Sequence, residues 1–137
     1  MVMKERKVMT LDEISNLSIE RIDDLELLDL IIDSSLKLMV IYKSEIDIVR
    51  NIIEFGIEAT NRYLDFIVDE EKELVLAEFY LIKGTLDKNN IDIELLEKSK
   101  NIFSKQYERT KDEKVLLRIQ KLIEEFNLIK HSGNMSR

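Results

Sequence analysis

The sequence predicts an all-α fold of about six helices packed as antiparallel helical hairpins. Three observations carry that expectation. The 137 residues include no proline and only three glycines, so long regular segments run without the usual breaks. No stretch of useful length alternates apolar and polar residues with the period of two that a half-buried strand requires. Apolar residues instead recur at steps of three and four, and at 45% of the chain they are sufficient to build a core.

The elements follow in order. Thr10-Leu-Asp-Glu13 has the form of a capping box, in which a hydroxyl accepts from the first free amides and a glutamate three residues on bonds back, so a short helix is expected over about 11–17. Asp23-Asp-Leu-Glu26 offers an aspartate cap for a second helix, the richest apolar run in the chain, from Leu25 to Ile41. Its polar residues Glu26, Asp29, Asp33 and Lys37 fall at steps of three, four and four, so a single wet stripe runs along an otherwise apolar helix. Such a helix needs cover on several sides, from its own chain or from a second subunit. Ser44-Glu-Ile-Asp47 marks the third start. That helix carries two adjacent apolar rows, one through Val49, Ile53 and Ile57 and one through Ile52, Phe55 and Ala59. Gly56 lies within it, at a cost of about 1 kcal/mol relative to alanine, and close approach of a neighbouring helix is the expected compensation.

Asp69 with Glu70 and Glu71 marks a fourth helix start, Asp92 a fifth and Asp112 a sixth, while Asp87-Lys-Asn-Asn90 is the clearest turn. Along the sixth helix Val115, Ile119, Leu122, Phe126 and Ile129 form a seam at steps of four, three, four and three. Short connections make sequential helices antiparallel neighbours. By these signals the chain is expected to comprise an N-terminal segment 1–22 with a short helix, a helical domain 23–130 and a flexible tail 131–137.

Residues Ala77-Glu-Phe-Tyr-Leu-Ile-Lys-Gly84 resemble the first helix of a tetratricopeptide (TPR) repeat, where an alanine, an aromatic residue and a glycine recur at this spacing. Ser99, Phe103 and Gln106 fall where the second helix of such a repeat places small, aromatic and small residues. The resemblance covers about 77–111 and departs at Gln106, at Asp87 and in the absence of a closing proline. It implies a TPR-like architecture, with a plain helical bundle as the other form the hairpins can take, and in the TPR-like form an inner groove lined by first helices, to which Glu78, Leu81 and Lys83 would contribute.

A net charge of −7 works against general affinity for phosphate backbones, because that affinity comes from lysine and arginine displacing counterions. Lys4, Arg6 and Lys7 form a short basic cluster, read as a solvated terminus. Residues 10–22 loosely resemble the two short helices of a helix-turn-helix, but Glu20, Asp23 and Asp24 on the second would meet phosphates and only Arg21 offsets them. A small DNA-binding regulator that uses 10–22 and dimerises through the remaining helices is therefore the alternative reading. The absence of cysteine removes disulfides, thiolate nucleophiles and the common structural zinc sites. His131 stands alone in the expected tail, and the three glycines are too far apart for a phosphate loop. Asp29 and Asp33 share a helix face, for which a solvated stripe with Lys37 paired to Asp33 is the expected role.

No apolar run reaches the length of a membrane span or a secretory signal, so a cytoplasmic location is expected. The expected function is that of a non-catalytic interaction module with no cofactor or metal, binding a protein partner or itself through apolar helix faces. Leu38 and Ile41 at the end of the second helix join Glu78, Leu81 and Lys83 as the expected contact residues.

Overall fold

The computed structural model describes residues 7–126. Lys4, Arg6, Ile129, His131 and the tail 131–137 lie outside the described residues, as do the side chains of Leu122 and Phe126. The described chain is all-helical, with helices α1 (Leu11–Ser15), α2 (Leu25–Ile41), α3 (Ile46–Phe66), α4 (Glu70–Thr85), α5 (Ile93–Thr110) and α6 (Glu113–Phe126), and one 3-10 turn (Ile19–Arg21) between α1 and α2. It divides into two compact units, one ending at Ile67 and the other beginning at Val68.

In the first unit α2 and α3 form a helical hairpin. The Thr10 capping box is complete: Glu13 N–H donates to the Thr10 hydroxyl at 3.1 Å, and Thr10 N–H donates to the Glu13 carboxylate at 2.9 Å. That double bond fixes a helix of only five residues, whose Ile14 is buried together with Ile19 of the 3-10 turn. The turn packs on α3, so the boundary expected after residue 22 falls inside this unit. Arg62 of α3 secures the junction, donating to the Ile22 carbonyl at 3.0 Å and to the Asp23 carboxylate at 2.9 Å. With Asp23 so engaged, it is Asp24 that caps α2, accepting from Glu26 and Leu27.

Ser44 does not cap α3. The connection closes through Glu45 N–H to the Tyr42 carbonyl at 2.7 Å, which leaves Ser44 within the turn and Glu45 as the N-cap residue, without a side-chain bond. Along α2 the wet stripe is as the spacing requires: Glu26 and Lys37 are exposed, Asp29 and Asp33 half-buried, and Lys37 meets Asp33 at 3.2 Å. Behind it Leu28, Ile31, Ile32 and Met39 are buried against the hairpin interior with Val49, Ile52 and Ile53 of α3 also buried. Gly56 is a buried position, and its carbonyl accepts from the Thr60 hydroxyl at 2.6 Å.

The second unit is the hairpin α4–α5 with α6 laid against it. Asp69 and Asp92 cap α4 and α5 as expected, and the Asp112 carboxylate accepts from Lys114 N–H at the start of α6. Leu74, Ala77, Phe103 and Val115, drawn from all three helices, form its core, with Ile102, Tyr107 and Ile119 packed against them. The α4–α5 contact depends on small residues. The Ser99 hydroxyl donates to the Ala77 carbonyl at 2.8 Å, and the Gly84 carbonyl accepts from Asp92 N–H at 2.9 Å where the chain returns. A Cβ on Gly84 would lie 3.2 Å from the Asp92 carbonyl oxygen, 3.2 Å from Leu96 and 3.3 Å from Leu95. Gly84→Val is therefore expected to lower stability by about 2 kcal/mol through overpacking, read as a shift in the urea midpoint. Gly84→Ala should cost less, because alanine regains about 1 kcal/mol of helix propensity.

Gln106, large where the repeat pattern expects a small residue, is buried because α4 offers it a partner. Its amide donates to Glu73 at 3.2 Å, and its carbonyl oxygen accepts from Arg109 at 2.8 Å, while Arg109 also reaches Glu70. Lys111 follows α5 in the left-handed conformation, φ 53°, which lets α6 begin after only two intervening residues.

Candidate functional site

Three helices of the second unit leave an open groove of about 410 Å³ between them. Its floor is apolar: Leu81 from α4, Leu96, Phe103 and Tyr107 from α5, and Leu116 and Ile119 from α6. The reason is local. Helix α5 places Leu96, Phe103 and Tyr107 at steps of seven and four, on the side that faces α4 and α6, and the long Phe103 reaches down into the core with only 5% of its surface exposed. Leu116 sits one position off the seam begun by Val115 and Ile119, so it cannot enter the core with them and stays 47% exposed at the groove edge. Polar groups occupy the rim, where Lys100, Ser104 and Glu108 are exposed and follow one another at steps of four along α5. Ser99, also in the lining, is engaged by its bond to α4.

Beside this groove lies an ionic clamp between α4 and α6. Arg118 donates to both carboxylate oxygens of Glu78, at 2.8 and 3.3 Å, and to Glu71 at 2.8 Å. Glu78 is only 9% exposed, and burial pushes its carboxyl above the ordinary 4.5, with the Arg118 guanidinium opposing and Glu71 adding to the rise. Burial works against the charge on Arg118 too, but its bonds to Glu78 and Glu71 more than offset that. A forked guanidinium held by two carboxylates fixes the orientation of α6.

The five residues expected to make contacts are therefore spread out. Leu81 lines the groove; Glu78 is committed to Arg118; Lys83 is half-buried on the same helix. In the first unit Leu38 is 6% exposed and belongs to the interior, whereas Ile41 is 68% exposed at the end of α2. The groove residues of α5 and α6 were not singled out from the sequence. The available signal was the pair of leucines at 116 and 117 flanking a seam that accounts for neither.

The remaining candidates are equally plain. The 10–22 segment presents five α-helical residues and a three-residue 3-10 helix, a single turn where a recognition helix would need several. Glu20 on that turn faces Glu58 of α3, whose carboxyl is raised by burial and then by Glu20 itself, an acidic surface to offer a phosphate. Among the described residues no three His, Cys, Asp or Glu are grouped so as to hold a metal ion, and no helix is long and apolar enough to cross a membrane. The chain matches no family model, and neither a curated protein nor a solved structure is significantly similar to it.

Proposed function

We propose that the chain is a non-catalytic helical interaction module that associates with itself through apolar helix faces. The observation that carries this reading is the open groove of the second unit, where aromatic and aliphatic side chains from three helices face water together. Covering such a concavity removes apolar area from water, which favours association. The α4–α5 pair is read as TPR-like, supported by the close approach at Gly84, the Ser99–Ala77 bond and the Phe103 side chain filling the space between helices. A cytoplasmic setting belongs to the same proposal.

Light scattering on the full chain across a concentration series is the direct test. The mass is expected to rise above that of one chain as concentration increases. A strict monomer at high micromolar concentration would sink the proposal.

A further inference from the structure

We propose that two copies of the chain exchange α6: the joint at Lys111 and Asp112 straightens, α5 and α6 become one helix, and each α6 docks on the α4–α5 hairpin of the other copy; this rests on the self-association proposed above. The joint is held bent by its surroundings and not by its own residues. Lys111 has φ 53°, a left-handed conformation that crowds any side chain with a Cβ and that helix ends normally give to glycine. No glycine or proline stands between Ile93 and Phe126, so nothing in this stretch obliges the helix to stop. Part of the straight form is already present. Lys111 N–H donates to the Tyr107 carbonyl at 2.7 Å, the step of four that continues α5, and the Lys111 ammonium meets Glu108 at 3.4 Å, a spacing that a straight helix keeps. The bend is held locally by two bonds, from Asp112 N–H to the Thr110 hydroxyl at 3.1 Å and from Lys114 N–H to the Asp112 carboxylate at 2.9 Å, and straightening replaces both with backbone bonds.

The surface that receives α6 is the one α6 already covers. Val115 and Ile119 share one core with Phe103 and Tyr107. Tyr107 and Val115 lie four residues to either side of Lys111, and Phe103 and Ile119 eight, so the fold-back is symmetric about that residue. A two-fold axis through Lys111 therefore returns the same four side chains to the same core between two straight helices, about 6 and 12 Å from the axis along each. Arg118 of one copy then meets Glu78 and Glu71 of the other, the bonds of 2.8 Å that hold α6 within a single chain. Exchange keeps the core and the ionic clamp of α6 and relieves two crowded left-handed residues per dimer, while two chains lose their independent motion.

The chain has no cysteine, so Lys100→Cys with Gln120→Cys places two spin labels at exposed positions on α5 and α6 of the full chain. On one straight helix the twenty residues between them span about 30 Å, whereas in the single chain α6 doubles back along α5 and the distance is much shorter. With a little labelled chain refolded from urea in excess unlabelled chain, the dimer fraction is expected to show the long distance and the monomer fraction the short one. Lys111→Gly, which relieves the bent joint and disfavours the straight helix, is expected to weaken dimerisation about a hundredfold, tenfold for each of two joints. Asp112→Ala, which removes the cap of the bent form, is expected to strengthen it about twentyfold. Both positions are exposed, and circular dichroism checks that each variant remains helical. A dimer that shows only the short distance, or that responds to neither joint variant, overturns the exchange while self-association stands. A strict monomer at high micromolar concentration, for the parent and for Asp112→Ala alike, overturns both readings.

Discussion

Phe103→Ala is expected to cost about 3–4 kcal/mol of folding free energy, the range for truncating a buried aromatic side chain that its surroundings cannot collapse onto. Phe103 touches the core from α5, where Leu74 and Ala77 of α4 and Val115 of α6 meet it, so its removal loosens both helix contacts at once. Against a typical domain stability of about 5–15 kcal/mol, such a loss is a large part of the margin. Urea titration followed by circular dichroism measures it. Phe103→Leu should cost roughly 1 kcal/mol, since it keeps most of the volume. A loss under about 1 kcal/mol for the alanine variant would mean that Phe103 does not join the three helices.

Arg118→Ala is expected to lower stability by about 2–3 kcal/mol at neutral pH, somewhat less than for a fully buried pair because the guanidinium is partly exposed and screened. The variant leaves the Glu78 carboxylate buried without its cation. Its only remedy is to take up a proton. Burial already holds the Glu78 carboxyl above 4.5 in the folded protein, and loss of Arg118 removes the interaction that opposes this rise. A carboxyl with a raised folded pKa contributes stability at low pH that is lost as pH climbs through that value. The deficit of Arg118→Ala relative to the parent should therefore shrink as pH falls from neutral toward 4.5, measured as the difference between two urea midpoints at each pH. A deficit that stays constant, or widens on acidification, contradicts a buried Glu78 charge as its source. Arg118→Leu combined with Glu78→Leu should recover most of the loss, because neither charge is then left in the interior.

Much of the fold was legible in the sequence because caps and periodicity are local. Thr10, Asp69 and Asp92 each bond an amide three residues away. The start of α2 was legible only to within one residue: Asp23 and Asp24 are equivalent as caps, and it is Arg62, some forty positions along, that occupies the first. Ser44 misled for a similar reason, since the bond closing the Tyr42–Glu45 turn sets where α3 begins. Gln106 departed from the repeat pattern because the pattern counts size alone, whereas Glu73 and Arg109 make a long polar side chain fit.

The candidate site was less legible. Leu81 could be picked out on its helix, but a groove is defined by what three helices leave uncovered, and periodicity within one helix does not report that. Glu78 illustrates the limit: its residue type suggests a solvated or partner-facing carboxylate, and only the position of Arg118 reveals a buried clamp.

By itself, then, the sequence determined the helical class, the number of helices, the caps of α1, α4 and α5, and the excess of apolar surface in α2, because each follows from hydrogen bonds and periodicities spanning a few residues. The tertiary structure decided how that surplus is covered. It buries Leu38 and leaves Ile41 exposed, commits Glu78 to Arg118, and leaves Leu116 at the edge of a groove. Those outcomes turn on which faces meet across tens of residues, and on which partner reaches each polar group first.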